Sequence, residues 1–471
     1  LENNSNQILE KLQIQINAAV AGVITPFFEI VSYIFTTIFL FVMLIFLDPK
    51  ITTSLIIFLG TFYYIVYSNL KKKINQFGKF APKYSADTFK LVDQAFKSIK
   101  DIKIKQNEKF YMDLFSPLAS KYSNNIISLS LISNFPRFFL EIFVYLFVFI
   151  LILFLQKNLN NFSEILIIIG MYSLAFQKLL PAVQGIFHQF SQYKYYKPTL
   201  DLVYDEIEKS LIVLDLSTQN NNNVELKFKD KIKFKKVIFR YPSSKKNIIE
   251  IDNLEINKKK FIGITGGTGA GKSTFIDLLM GLIDPDYGSI TIDDKKINDT
   301  WKKNINYIPQ SIFLADDTIL NNIALGIRPE EINLDKVKKA CNIAELKDFI
   351  ENDLPDKYKT LVGENGIRLS GGQRQRVGIA RAIYNDANEI LIMDESTNSL
   401  DLLTENKIIN KILEANIFKT VFFITHRIQS LKKSEMIVFF ETGKISAFSS
   451  YDEAKKLNIN FKEFDRISYE K

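Results

Sequence analysis

A glycine-rich segment between an apolar run and a helix-like stretch constrains the fold of this chain more than any other feature. The apolar run at 261–265 predicts a buried strand, and residues 275–280 predict the helix that follows. Glycines allow several backbone N–H groups to converge on one anion at the positive end of that helix. This order of strand, loop and helix predicts a phosphate-binding loop made of Gly266, Gly267, Thr268, Gly269, Ala270, Gly271, Lys272, Ser273 and Thr274.

Four side chains in and beyond this loop predict a site for a nucleotide and a magnesium ion. In a loop of this pattern Lys272 reaches the outer phosphates and the hydroxyl of Ser273 holds Mg²⁺. A second apolar run, 390–393, leads into two adjacent carboxylates. Because a carboxylate at a buried strand end can hold the same ion, we assign Asp394 to Mg²⁺ and Glu395 to the general base that activates water.

The composition indicates a chain that is partly embedded in a membrane. Apolar residues make up 47% of its 471 residues, and phenylalanine alone occurs 40 times. The single cysteine, Cys341, excludes an internal disulfide and a multi-cysteine metal cluster. Two histidines are too few for a histidine-based metal centre.

Four apolar stretches are each close to the ~20 residues that a bilayer-spanning helix requires. They cover residues 21–47, 51–69, 138–155 and 162–187, and an amphipathic helix is predicted before them over residues 1–20. A buried soluble helix explains any one of these stretches but not four. We therefore predict four transmembrane helices in a domain that covers residues 1–200.

The distribution of lysine predicts the orientation of these helices. Residues 71–133 contain twelve lysines and five acidic residues, whereas the polar breaks at 48–50 and 156–161 contain one lysine each. By the positive-inside rule the long segment is cytoplasmic, and its helical periodicity predicts long helices there. It lacks the aromatic platform and the fold motifs of nucleic-acid-binding proteins, so we expect membrane lipids and no nucleic acid as partners.

Beyond the membrane domain the hydropathy falls at residues 201–225, where an asparagine-rich patch predicts a linker. Residues 226–471 then alternate strands and helices, which is typical of a mostly parallel sheet covered on both faces. The predicted strands are 233–240, 261–265, 289–292, 304–308, 389–393 and 420–424. The predicted fold class is an all-α transmembrane domain followed by an α/β P-loop nucleotide-hydrolase domain.

A third motif makes the prediction more specific. Ser370, Gly371, Gly372 and Gln373 follow Leu369 and open a helix predicted over 374–383. Together with the two motifs above, this pentapeptide resembles the signature of the ABC transporter ATPases. The resemblance covers the whole second half of the chain and implies ATP and Mg²⁺ as cofactors. It also implies an ATP-binding domain of the ABC type, fused to part of a type 1 exporter membrane domain.

Further residues match this family position by position. Tyr241 matches the aromatic residue that stacks on adenine, and Gln310 matches the glutamine that contacts both Mg²⁺ and the membrane domain. His426 matches the switch histidine near the γ-phosphate, and Asp401 matches the loop across the dimer interface. The catalytic residues implied by the resemblance are Lys272, Gln310, Glu395 and His426.

The resemblance also implies a partner. In the family, two such domains enclose two ATP molecules, each held by the phosphate loop of one subunit and the signature of the other. A chain with one of each therefore requires a second half-transporter, either another copy or a related chain. Residues 360–366 resemble an exporter segment that contacts the partner's cytoplasmic helices. Asn398 and Ser399 depart from the Ser-Ala of many members, which removes no catalytic group.

The order of the two domains resembles the half-transporters among the ABC exporters. Those have six spans in each subunit, whereas four are predicted here, so we expect two more spans ahead of this sequence. A native four-span transporter is the alternative. The resemblance places the protein in the inner membrane of a bacterium, with its ATP-binding domain in the cytoplasm.

Polar residues in the last two spans predict where a substrate binds. Lys178 lies midway along an apolar run, where an unpaired cation is costly, and Gln184 lies on a polar face of the same helix. Arg137 adds a cation near the cytoplasmic entrance, or else pairs locally with Glu141. The stretches around these cations resemble the flippases of lipid-linked oligosaccharides, whose pyrophosphate two cations would suit.

Other functions stay open on the sequence alone. Lipid A, phospholipids, peptides and drugs are the alternative substrates of an exporter. A membrane regulator that senses nucleotide without transport is a rival of another class, and the intact Glu395, His426 and signature argue against it. The four predicted spans exclude a soluble ABC ATPase, and the fusion of the two domains favours export over import.

Overall fold

The computed structural model describes residues 14–158, 162–219, 226–258 apart from 243 and 245, 261–385, 389–441, 443–448 and 450–469. The chain divides into two compact units between Leu216 and Ser217. The first unit is helical and the second is α/β, which confirms the predicted fold class. Each unit has hydrophobic clusters of its own.

Long helices make up the first unit, because its apolar stretches continue without a break into charged helical segments. These helices are α1 (Ile16–Leu47), α2 (Pro49–Lys97), α3 (Ile99–Lys105), α4 (Glu108–Asn158) and α5 (Phe162–Gln219). The polar break at 48–50 caps a helix: the Asp48 carboxylate accepts hydrogen bonds from the N–H groups of Lys50 and Ile51 at 2.9 and 3.1 Å. Pro49 then opens α2 with the backbone angle that a first helical turn needs.

Among the described residues, three helices are long and apolar enough to cross a membrane, namely α1, α2 and α4 up to Ile150. Many of their large apolar side chains are exposed, and on α1 Phe46 is 85% exposed and Phe35 is 71% exposed. Such surfaces suit contact with lipid. The fourth predicted span, 162–187, falls in α5, and the side chains of 162–168 lie outside the described residues. That span stays a prediction.

A buried polar connection joins three of these helices. Gly78 of α2 lies so close to α5 that an added Cβ would be 2.5 Å from the backbone oxygen of Tyr195. The Tyr195 hydroxyl donates to Asn125 Oδ1 at 2.6 Å, and the Asn125 amide donates to the Phe77 carbonyl at 3.2 Å. Because buried polar groups require partners, this connection fixes how α2, α4 and α5 pack.

The segment predicted as a linker, 201–225, is helical in its first part, and the boundary between the two units lies within it. Helix α5 continues to Gln219. The fall in hydropathy marks the point where the helix becomes polar rather than the point where it ends. Opposite charges four residues apart, at Asp205 and Lys209, favour a helix in this segment. Residues 220–225 lie outside the described residues.

The second unit contains two sheets, where the sequence predicted one. Its strands are β1 (Lys231–Phe239), β2 (Ile249–Asn257), β3 (Phe261–Gly266), β4 (Tyr287–Ile292), β5 (Lys295–Lys296), β6 (Ile305–Ile308), β7 (Ile390–Asp394), β8 (Thr420–Ile424), β9 (Met436–Glu441) and β10 (Lys444–Phe448). An antiparallel sheet has the order β2-β1-β4-β5. The larger sheet has the order β10-β9-β3-β8-β7-β6 and is parallel except for β10.

Helices cover the larger sheet and position the site. They are α6 (Lys272–Met280), α7 (Ile319–Ile323), α8 (Leu334–Ile343), α9 (Gly371–Tyr384), α10 (Leu402–Ala415), α11 (Tyr451–Leu457) and α12 (Ile459–Tyr469). Strands β3, β8 and β7 are buried along their whole length, as expected for parallel strands covered on both faces. Their carboxyl ends lie at one edge of the sheet, which is where ligands bind in open α/β sheets.

Candidate nucleotide site

The phosphate loop connects β3 to α6 with backbone angles that favour glycine. Gly266 has a φ of +147°, and a Cβ there would lie 2.4 Å from the backbone oxygen of Phe440. Gly271 has a φ of +101° and caps α6, where a Cβ would lie 2.8 Å from Ile249 Cδ1. Both glycines are therefore required by a positive φ and by the close approach of neighbouring chain. The order of strand, loop and helix is the one predicted from the sequence.

Lys272 is buried in this loop, with 6% of its surface exposed. Its ammonium donates to the carbonyls of Gly266 and Gly267 at 3.0 and 2.9 Å. Burial lowers the pKa of Lys272, and the nearby carboxylates of Glu395 and Asp394 partly oppose that change. An ammonium has three N–H donors, so these two carbonyls leave one for an anionic ligand.

Two further predicted residues lie at the start of α6 and the end of β1. Ser273 is exposed in the first turn of α6, where the N–H groups have no partner within the helix. Tyr241 follows β1 with 38% of its surface exposed, and its ring makes an edge contact with Phe239 at 5.0 Å between centroids. The Tyr241 hydroxyl lies 3.4 Å from Thr274 Oγ1, which brings the predicted adenine-stacking residue next to the phosphate loop.

Asp394 ends β7 and is 7% exposed. Burial raises the pKa of this carboxyl group, because an ionised carboxylate loses solvation there. The Tyr307 hydroxyl donates to Asp394 Oδ2 at 3.1 Å. Burial and the neighbouring Asp394 in turn raise the pKa of Tyr307. A buried acid with one hydroxyl partner is well suited to accept a cation.

Glu395 is surrounded by polar groups from three different segments. Gln310, two residues after β6, donates its amide N–H to Glu395 Oε2 at 2.9 Å. His426, two residues after β8, places Nε2 at 2.8 Å from Glu395 Oε1. Asn398 donates its amide N–H to Glu395 Oε2 at 3.1 Å. The structure thus brings together the predicted base, the predicted switch histidine and the predicted glutamine.

The signature residues form the first turn of α9. The Ser370 hydroxyl accepts a hydrogen bond from the Gln373 N–H at 3.2 Å, and Gln373 Oε1 accepts one from the Ser370 N–H at 2.7 Å. This reciprocal pair is a capping box. The N–H groups of Gly371 and Gly372 follow in the same turn, which has the positive end of the helix dipole. An anion can bind at this end.

Asp401 caps α10. Among the described residues, no hydrogen bond joins it to another predicted site residue. Its carboxylate accepts from the Thr404 N–H at 2.9 Å, and this hydrogen bond lowers the pKa of Asp401. Ser399 lies beside the signature helix, because its N–H donates to Gln375 Oε1 at 2.9 Å. The loop between β7 and α10 is therefore fixed against α9.

The three predicted substrate residues do not contact one another through any described interaction. Arg137 Nε pairs with Glu141 Oε1 at 2.7 Å, which is the local pair that the sequence left as an alternative. Lys178 is exposed on α5, with no described partner. The Gln184 amide Nε2 is buried and has no hydrogen-bond partner among the described residues.

Three residues of this region were not predicted. Tyr307 contacts Asp394 because β6 pairs with β7, a neighbour relation that the sequence pattern does not contain. Asn398 contacts Glu395 across a turn of three residues. Arg427 Nη2 donates to the carbonyl of Asn398 at 3.1 Å. Of these three residues, Asn398 is the one for which the sequence contains a signal, the departure from the Ser-Ala of many family members.

Comparisons with known proteins agree with this geometry. The sequence model of the ABC transporter family matches residues 249–398. The chain is 37% identical over 289 residues to an export ATP-binding/permease protein of Rickettsia typhi. This alignment covers 58% of this chain and 47% of that protein. It is 25% identical over 474 residues to an ATP-dependent lipid A-core flippase of Cupriavidus pinatubonensis. This second alignment covers 99% of this chain and 79% of that protein.

A solved structure extends the comparison to the fold. The structure of a bacterial Atm1-family ABC exporter with ATP bound has a TM-score of 0.81 and 19% sequence identity, over 98% of this chain and 81% of that chain. The chain spans less than half the length of the Rickettsia relative, 47% of it. The family match contains the phosphate loop, the signature and the two carboxylates, and the shared fold includes the helical unit. Residues 249–398 therefore belong to an ABC-transporter ATP-binding domain, and the chain has the fold of an ABC exporter, in which a helical unit precedes that domain.

Proposed function

We propose that this chain is the ATP-hydrolysing subunit of an exporter that moves an amphipathic lipid out of the cytoplasmic leaflet. The observation that carries this proposal is the environment of Glu395, whose carboxylate lies within hydrogen-bond distance of both Gln310 and His426. The buried Lys272 and Asp394 lie at the same edge of the sheet. A nucleotide sensor has no need of a base held in this way.

The residues of the phosphate loop fit the triphosphate of ATP. Lys272 would donate to the outer phosphates with the N–H that the two loop carbonyls leave available. The N–H groups at the start of α6 would hold the same anion, and Tyr241 would stack on the adenine ring.

The donor set also fits a magnesium ion. Ser273, Gln310 and Asp394 offer a hydroxyl, an amide oxygen and a carboxylate, the hard oxygen ligands that Mg²⁺ prefers. No group of three His, Cys, Asp or Glu that could hold a metal occurs among the described residues. That is expected for an ion held mostly by phosphates and water. When bound, Mg²⁺ neutralises the charge that develops on the phosphates.

Glu395 would act as the general base in hydrolysis. Its carboxylate accepts the proton of a water molecule positioned for attack on the terminal phosphate. His426 and Gln310 hold that carboxylate from two sides, so its orientation is fixed before the nucleotide binds.

We propose that two half-transporters complete both sites together. Ser370, Gly371 and Gly372 form a helix N-terminus that suits the terminal phosphate of an ATP held by the partner. Asp401 and Ser399 would lie at that interface. The partner is a second copy or a related chain.

The substrate proposal rests on the comparisons and on the polar residues of the first unit. The Cupriavidus relative that covers almost the whole chain is named as a flippase of lipid A-core. Lys178 and Gln184 are the candidate contacts for a polar lipid headgroup, and Arg137 is a weaker one because it pairs with Glu141. A lipid-linked oligosaccharide remains the substrate predicted from sequence, and a bacterial inner membrane the predicted location.

ATP hydrolysis by the full-length gene product in lipid nanodiscs tests this function. We expect a basal rate that rises when lipid A-core or a lipid-linked oligosaccharide is added, and the larger rise identifies the substrate class. Lys178→Ala should remove the stimulation and leave the basal rate. A basal rate of zero would refute hydrolysis by this chain alone. A basal rate that neither lipid changes would refute the lipid proposal.

A further inference from the structure

Asn398 is a third polar neighbour of the proposed general base. Its amide N–H donates to Glu395 Oε2 at 3.1 Å, the same oxygen that accepts from Gln310 at 2.9 Å. The Asn398 backbone N–H also donates to the Glu395 carbonyl at 3.3 Å. One residue therefore contacts both the backbone and the side chain of the base.

The backbone of Asn398 is itself held from the His426 side of the site. Arg427 Nη2 donates to the Asn398 carbonyl at 3.1 Å, and Arg427 Nη1 donates to the Leu400 carbonyl at 2.8 Å. Arg427 Nη1 also pairs with Glu405 Oε2 at 2.7 Å. The planar guanidinium thus joins the segment after β8 to the loop after β7 and to helix α10.

Glu405 fixes the guanidinium in place. Its side chain is fully buried, and a buried carboxylate requires partners for its oxygens. One oxygen pairs with Arg427, and the other accepts a hydrogen bond from the Ser430 hydroxyl. Buried Glu405 therefore sets the position of Arg427, and Arg427 sets the position of Asn398.

The backbone of Glu395 shows why such support is needed. Its φ is +46°, in the left-handed region that non-glycine residues rarely adopt. A strained residue of this kind persists only where its surroundings determine its conformation. The Glu395 N–H donates to the Ile424 carbonyl at 3.0 Å on one side, and the Asn398 turn closes the other.

We infer that Asn398 is a positioning residue for Glu395, and that Arg427, anchored on Glu405, holds Asn398 in place. This inference rests on the proposed function, because it concerns the same hydrolysis. Asn398 acts through the base and not through the phosphate loop. Its removal should therefore lower turnover and leave ATP affinity intact.

The test compares Asn398→Ala and Asn398→Asp with the wild type in the full-length gene product in lipid nanodiscs. We expect kcat for ATP to fall about tenfold, the scale of one hydrogen bond to a charged group. The KM for ATP, the Kd of a fluorescent ATP analogue and the Tm should stay near the wild-type values. Arg427→Lys keeps the positive charge beside Glu405 but loses the guanidinium, whose two nitrogens donate to the Asn398 and Leu400 carbonyls. This variant should therefore show the same fall in kcat.

Asn410→Ala is the matched control, since Asn410 lies on α10 away from the base and accepts a hydrogen bond from Lys433. It should leave all four quantities unchanged. Wild-type kcat in Asn398→Ala would overturn the inference. So would a loss of Tm and ATP affinity in both the Ala and the isosteric Asp variant, because that pattern indicates a purely structural role. If Glu395→Gln does not lower the ATPase activity of the wild type, the proposed function fails instead. That result differs from the two results above, in which the ATPase activity of the wild type still depends on Glu395.

Discussion

Asp293 shows how one carboxylate can organise the edge of a sheet. It follows β4, and its side chain accepts hydrogen bonds from the N–H groups of Lys229, Asp230 and Lys231 at 2.7, 3.0 and 2.8 Å. Burial acts to raise the pKa of Asp293, but these hydrogen bonds outweigh it and lower the pKa below its ordinary value of 3.8. The ionised form is therefore the one that stabilises the start of β1.

We predict that Asp293→Asn lowers the free energy of unfolding at pH 7 by about 1 kcal/mol, since the group is partly exposed and screened. A lowered pKa means that this stability is present above pH 3.8 and is lost as the pH falls through the folded-state pKa. The difference between variant and wild type should therefore shrink in acid. Melting curves of the purified protein from pH 7 down to pH 3 measure it.

Asp294→Asn is the control for this prediction. Asp294 is next in sequence and pairs with Lys233 at the surface, at 2.8 Å. Its replacement should change stability less than that of Asp293. A gap between Asp293→Asn and wild type that is the same at pH 7 and at pH 3 would contradict the role of the ionised carboxylate.

At the residue scale, sequence predicted the loop itself where chemistry restricts the residue type. A phosphate loop needs glycine and lysine in fixed order, so the amino-acid sequence places Lys272 in such a loop, and its contact with the phosphates stays a prediction. The contacts of Tyr307 and Asn398 could not be predicted, because they depend on which strands pair and on how a turn closes. Neither property is encoded in a short motif.

At the element scale, the phosphate loop depends on the angle at which β3 turns into α6. We predict that Gly271→Ala lowers both stability and ATP affinity. The residue has a φ of +101°, and a Cβ would lie 3.0 Å from the backbone oxygen of Ile248, which cannot move aside as a side chain can. Melting temperature and binding of a fluorescent ATP analogue are the measurements.

Gly267→Ala separates this strain from loss of ligand contact. Gly267 has no positive φ, and nothing lies within 4 Å of an added Cβ. Its replacement should leave the melting temperature of the nucleotide-free protein unchanged. Equal losses of stability in the two variants would contradict the account of the loop.

Elements were predicted where an apolar run is bounded by clear turns, and all six predicted strands are present. Strands β2 and β9 were not predicted, although their sequences contain patterns typical of strands. β2 alternates buried and exposed residues with period two along most of its length, and β9 is an apolar run of ordinary strand length. Their assignment to two different sheets could not be predicted, because it depends on pairing between segments far apart in sequence. The end of α5 could not be predicted from hydropathy, because polar residues continue this helix beyond its apolar part.

At the scale of the whole molecule, the proposed dimer makes a prediction about mixtures of inactive chains. Lys272→Ala removes the phosphate-loop cation, and Gly371→Asp puts a carboxylate at the signature helix where we expect a phosphate. Each variant alone should be inactive, because every shared site then has one defect. In a mixed dimer both defects fall in one site and the other site is intact. Random assembly of equal amounts should therefore restore about one quarter of the wild-type sites.

ATPase activity of the two variants co-expressed in one membrane measures this recovery. Mixing the separately purified variants after assembly is the control and should restore nothing if dimers do not exchange. Two inactive variants that stay inactive after co-expression would contradict sites shared between two copies of this chain.

The most direct test of the whole account is the response of hydrolysis and transport to the loss of one carboxylate. We would measure ATP hydrolysis and the movement of a labelled lipid between leaflets in proteoliposomes that contain wild-type protein or Glu395→Gln. The account predicts that the variant binds ATP as tightly as wild type, hydrolyses it about 100-fold more slowly, and moves no lipid. Lipid movement that continues at the wild-type rate in Glu395→Gln would contradict the central claim that hydrolysis at this site drives export.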